Sequence, residues 1–152
     1  MTFKCVKIFI FFFIFLSSIV LADENISIGL GYPYLCAKYN FLEKYAAELK
    51  YATGEGINII GLRGYWDFYS EDKLKGFAGF EVGTINFDTL DIKGSGTEYS
   101  PAIGGEYYII PNLSLSADLS IMMINLNSGS LGVNGMEWVI NMAIYYYPFS
   151  EK

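Results

Sequence analysis

Leu113-Ser114-Leu115-Ser116-Ala117-Asp118-Leu119-Ser120-Ile121 decides the fold. Read in steps of two, it gives Leu113, Leu115, Ala117, Leu119 and Ile121 on one side and Ser114, Ser116, Asp118 and Ser120 on the other. A strand sends successive side chains to opposite faces, so this segment has one greasy wall and one wet wall. Four further segments repeat the pattern. Trp138, Ile140, Met142, Ile144 and Tyr146 alternate with Glu137, Asn141 and Ala143; Ile60, Leu62, Trp66 and Phe68 oppose Arg63 and Asp67. Leu74, Ala78, Phe80 and Val82 oppose Lys75, Glu81 and two glycines, and Ile103, Tyr107 and Ile109 oppose Gly104 and Glu106.

Short turn-forming groups separate these runs: Thr53-Gly54-Glu55-Gly56, Ser70-Glu71-Asp72-Lys73 and Pro111-Asn112. Two connections read as longer loops, Asp88 to Gly96 and Asn127 to Gly135. Strands are expected at 44–52, 57–69, 74–87, 97–110, 113–126 and 136–149. Segment 25–41 then has to supply two more, with a turn near Gly31-Tyr32-Pro33, to reach an even count. Asn40 to Lys50 also carries helix signals, a capping Asn with Glu three residues on, but its alternation fits a strand with Tyr45, Ala47, Leu49 and Tyr51 on the greasy face.

The first residues read as a signal peptide, 1–22. Lys4 and Lys7 precede the apolar run Ile8 to Leu16, and Val20-Leu21-Ala22 presents a cleavage site before Asp23 and Glu24. Residues 23–152 then form one domain, keeping all 16 acidic residues and 8 of the 10 basic ones, a formal charge of −8. That balance disfavours nucleic acid as a partner. Cys36 is the one cysteine in this part, so no disulfide can form within it. All 13 Tyr and both Trp lie there too, the composition of a barrel with aromatic girdles. No segment of it could span a membrane as a helix, so a membrane location requires a closed barrel, which leaves no backbone group unpaired in lipid.

The wet faces of the expected strands carry Glu48, Lys50, Arg63, Asp67, Lys75, Glu81, Glu106, Asp118, Glu137 and Asn141. An eight-stranded barrel is only wide enough for side chains to fill, and buried charges there must pair. Arg63, with its planar fork of donors, is the expected hub for Glu81, Glu106, Asp118 or Glu137. A gated pore or proton path and a plugging ion network are the two readings of that set. The sequence has no His, which removes the usual general base and the common nucleophilic arrangements, so no catalytic residue, no cofactor and no metal site are expected. Asp88, Asp91 and Glu98, in or beside one loop, match no defined calcium-loop spacing.

Gly61-Leu62-Arg63-Gly64-Tyr65-Trp66-Asp67-Phe68, Phe77 to Gly83, Ile103 to Tyr108 and the closing Ala143-Ile144-Tyr145-Tyr146-Tyr147-Pro148-Phe149 carry a further signal. Through them the chain resembles the small outer-membrane β-barrel proteins of the OmpA/OmpX-like superfamily, by pattern and not by one diagnostic motif. Such families end on an aromatic residue; here Phe149 is followed by Ser150-Glu151-Lys152 and Pro148 interrupts the last strand. The resemblance implies an all-β, eight-stranded, antiparallel, up-and-down transmembrane barrel in the bacterial outer membrane. It implies outer-membrane lipid and the barrel-assembly machinery as partners, and a monomer. The expected function is non-enzymatic, a structural, envelope or surface-interaction role. A narrow, porin-like pore or small-molecule channel is one alternative, and a soluble periplasmic lipid-binding barrel with its greasy faces inward is another.

Overall fold

The structure is a computed structural model, and it describes residues 25–32, 34–89, 92–129 and 131–148. These form eight strands: β1 Ile26–Gly31, β2 Tyr34–Leu42, β3 Tyr45–Gly54, β4 Ile57–Glu71, β5 Leu74–Asp88, β6 Lys93–Ile110, β7 Leu113–Ser128 and β8 Leu131–Tyr146. Each pairs antiparallel with the next, and β1 pairs with β8, closing the ring. The expected signal peptide, residues 1–22, lies outside the described residues, as do Asp91 and Phe149.

The N-terminal hairpin that the even count required is present as β1 and β2, paired from Ile26↔Tyr39 to Leu30↔Leu35. Segment 40–50 is not helical: Tyr45 to Gly54 is β3, laddered on both sides. Its helix-forming residues carry a weak local preference, which two flanking strands override by pairing the whole backbone. Two expectations need correction. The polar stretches 88–96 and 127–135 are not long loops, because the ladder runs on through Asp88↔Lys93 and Ser128↔Leu131. Glycine, serine and asparagine suggested loop there, yet adjacent long strands satisfy their backbone groups as a sheet. The last strand also ends at Tyr146, before Pro148, which has no N–H to give a ladder.

Turn geometry follows from local chemistry. The β3–β4 turn is Glu55-Gly56, both at positive φ (45° and 82°), the pattern a two-residue hairpin demands. A side chain at Gly56 would also strike the Asp88 carbonyl. Register shifts at Asn40/Leu42, Asp67/Tyr69 and Tyr108/Ile110 all fall near the end of the barrel where the chain finishes, here called the lower end.

Cross-strand partners fix the barrel's shape. From Ile28 the ladder leads through Ala37, Leu49, Leu62, Val82, Tyr99 and Met123 to Met136, whereas Ile28 itself pairs with Tyr146. One circuit therefore advances the register by ten residues, from 136 to 146. Eight strands with that stagger, about 4.8 Å apart and rising about 3.3 Å per residue, tilt by about 40° around a radius of about 8 Å. Outward faces carry exposed Leu62, Trp66, Phe80, Ile103, Leu119 and Ile144, and inward faces carry buried Glu48, Arg63, Glu81, Glu106 and Asp118. This is the reverse of a soluble lipid-binding barrel over most of its height.

Candidate functional site: a lumen filled by charge

The lumen is built in layers. Near the lower end, Lys38 Nζ on β2 donates to Glu106 Oε2 on β6 at 2.6 Å. The other Glu106 oxygen accepts from Ser114 Oγ and Tyr147 OH, each at 2.5 Å. The Lys38 ammonium also lies 4.8 Å from the centre of the Tyr65 ring and 5.1 Å from that of Tyr145, so aromatic faces supply part of its solvation. Phe77 packs edge-on against Tyr65 with 5.0 Å between ring centres. At the rim of this layer Lys75 meets Asp67 at 3.4 Å.

Above it Glu48 accepts from the hydroxyls of Tyr65 and Tyr145, the latter at 3.0 Å. Its Oε2 takes both bonds, and its Oε1 has no partner among the described residues. The next layer centres on Arg63, whose Nε donates to Glu81 Oε2 at 2.7 Å and Nη1 to Asp118 Oδ2 at 2.8 Å. Lys50 reaches the same Glu81 oxygen at 3.0 Å and lies 4.3 Å from the centre of the Tyr34 ring. Asn141 bridges Asp118 Oδ1, at 2.8 Å, and Ser120 Oγ, at 3.2 Å. The strands place these groups by register alone: Arg63 is directly opposite Glu48 on one side and Glu81 on the other, and Asp118 is opposite Asn141.

The expected hub residue thus gathers two of its four candidates. Glu106 belongs instead to Lys38, one layer down, and Glu137 stands exposed near the upper mouth, opposite Met122. Glu137 faces inward by parity, but it sits too far along β8 for the Arg63 side chain. Glu98 lies within β6, as the expected strand 97–110 has it, 1 % exposed, over Gly83, where any Cβ would collide with its side chain. Asp88 pairs with Lys93 at 2.7 Å, and no group of three metal-binding side chains occurs among the described residues. Sequence reasoning missed Lys38, Tyr34, Tyr65 and Tyr145. The signal was there in the phase of Leu35, Ala37 and Tyr39, which sends Tyr34, Cys36 and Lys38 inward, and in Trp66, which sends Tyr65 inward.

Arg63 is 1 % exposed and Glu48 is not exposed at all, so side chains fill the lumen at this level. Three buried cations (Lys38, Lys50, Arg63) serve Glu106, Glu81 and Asp118, while tyrosine hydroxyls hold Glu48. Such an arrangement can hold eight strands in one register.

No protein-family model and no curated protein matches the sequence. Among solved structures, the N-terminal beta-barrel domain of Pseudomonas aeruginosa OprF is similar, with a TM-score of 0.55 and 14 % sequence identity, over 80 % of this chain and 92 % of that one. At that identity the likeness speaks for the backbone arrangement alone. The chain therefore has the closed, eight-stranded, OmpA-like barrel fold.

Proposed function

We propose that this protein is a non-enzymatic barrel of the outer membrane, a sealed anchor with a structural, envelope or surface-interaction role. One observation carries the reading: a closed ring whose outward face is apolar all round, wrapped on a lumen of paired charges. Exposed Leu, Ile, Phe, Trp and Met at this density would aggregate in water, whereas a bilayer solvates them. Lipid is then the principal partner, the barrel-assembly machinery acts during biogenesis, and the working unit is a monomer without nucleic acid. Localisation in the outer membrane is part of this reading, and so is removal of residues 1–22 after Ala22, which the Lys4/Lys7, Ile8 to Leu16 and Val20-Leu21-Ala22 pattern supports.

The test has two arms. The protein should fractionate with outer membranes and migrate differently on gels before and after boiling, as closed barrels do. Purified and inserted in a planar bilayer, it should leave the current at baseline. Recovery in the soluble periplasmic fraction would overturn the membrane reading, and steady unitary conductance would overturn the sealed one in favour of the pore.

A further inference from the structure

The barrel wall is not equally high all round. Tyr32, at the β1–β2 turn, donates its N–H to the Met142 carbonyl, and β8 continues from there to Leu131 without a partner on that side among the described residues. Eleven residues on a strand tilted by about 40° rise about 28 Å. On the other flank β3 passes the tip of β2 by only two residues, from Ala52 to Gly54. Among the described residues the wall therefore has a gap between β8 and β3. It opens within the apolar band, because Met136, Trp138 and Ile140 lie above Met142 and face outward. Their exposure records the missing neighbour: Trp138 is 70 % exposed against 51 % for Trp66.

Above the level of Glu81 the alternation changes sides on β4, β5 and β7. Outward positions become Thr84, Asn86, Thr97 and Asn125, and inward positions become Ile59, Ile85, Phe87, Met122, Ile124 and Leu126. Gly94 and Gly96 leave room for the Phe87 ring and the Leu126 side chain. The upper part of β4, β5 and β7 thus turns apolar side chains to the concave face, with Gly94 and Gly96 of β6 between them. At its base lie Glu98 and Ser100, each 1 % exposed, with Glu98 Oε2 and Ser100 Oγ lacking any partner among the described residues. They sit on β6, which in the ring of eight stands directly across from β2 and so looks toward the gap.

We propose that this upper chamber binds a single-chain amphiphile taken from the external leaflet through the β8–β3 gap. Its alkyl chain lies along the apolar concave face, and its hydrogen-bond-donating, non-anionic head is received by Glu98 and Ser100. The inference rests on the membrane reading above. A carboxylate headgroup is disfavoured by Glu98 itself and by exposed Glu137 on the β8 side of the gap.

The full chain in phosphatidylcholine vesicles, exposed to dodecylamine or dodecanoate bearing a terminal diazirine, tests this after photolysis and peptide mapping. The amine should label the peptides carrying Ile85, Phe87, Met122 and Ile124 about tenfold more than the carboxylate does, the worth of one charge-assisted hydrogen bond. Outward Leu119 should take both probes equally. Glu98→Gln, with its folding checked by gel mobility, should bring the two yields together. Labelling confined to outward positions, equal yields in the native chain, or an undiminished preference in Glu98→Gln would each overturn the proposal. Failure of the chain to enter vesicles would overturn the membrane reading with it, so the two failures are distinguishable.

Discussion

Replacing Arg63 by Met keeps much of the side-chain volume and removes only the charge and its donors. Glu81 and Asp118 then lose hydrogen bonds of 2.7 and 2.8 Å from a guanidinium that is 1 % exposed. Unit charges about 4 Å apart in an effective dielectric of about 20 attract by about 4 kcal/mol per pair, against which stands the cost of burying the guanidinium. Removing one partner leaves the carboxylates buried without that return, and such truncations cost about 3–5 kcal/mol. The two carboxylates differ in what remains: Glu81 keeps Lys50 at 3.0 Å, whereas Asp118 keeps only neutral Asn141 at 2.8 Å. The penalty should therefore sit mostly on Asp118, and Arg63→Met/Asp118→Asn should recover about 2 kcal/mol of it, because an amide costs far less to bury than an unpaired charge. Urea titration of the vesicle-inserted protein, read by the gel mobility of folded and unfolded forms, gives both numbers. A single variant within 1 kcal/mol of the native protein, or a double variant no more stable than the single, would refute the picture of a dry, closed network.

Leu119→Arg, on the outward face of β7 in the middle of the apolar band, should cost about 2–4 kcal/mol in a bilayer, while Asn125→Arg beyond the band should cost less than about 1; a soluble protein would tolerate both, so urea midpoints in vesicles and in detergent-free buffer separate the cases. Gly104→Ala should destabilise by about 1–3 kcal/mol, since the new Cβ runs into the Ala117 carbonyl and the Asp118 backbone, neither of which can move without breaking the β6–β7 ladder. Lys38→Met should lower stability by about 3–5 kcal/mol and Lys38→Met/Glu106→Gln by clearly less, measured by the same titration, because Ser114 and Tyr147 can still bond a neutral amide. Lys93→Ala should leave the midpoint unchanged, because its partner Asp88 is exposed and water replaces the bond.

The alternation from Leu113 to Ile121 was enough to determine strand, and five such segments were enough to determine a two-faced sheet, because a period of two admits no other regular backbone. The sequence likewise determined which face of β4 to β8 is greasy around the barrel's middle, and that Arg63 needs acidic company. The second phase was also written there, in Thr84-Ile85-Asn86-Phe87 and Ile124-Asn125-Leu126-Asn127. Taken as loop or as a continuation of the first phase, it gave no warning that the upper chamber is greasy inside.

Only the tertiary structure decided the rest, because those features depend on register summed over the whole ring. A ten-residue stagger brings Lys38 of β2 to Glu106 of β6, four strands apart in a ring and 68 residues apart in the chain. It lifts Glu137 clear of Arg63, although both lie on inward faces. It also turns the shortness of the β1–β2 hairpin, visible in the sequence as a mere count of residues, into a gap among the described residues of the wall at the level of Trp138 and Ile140. Local pattern sets the face to which a side chain points; closure sets the height at which it arrives, and so which partner it meets.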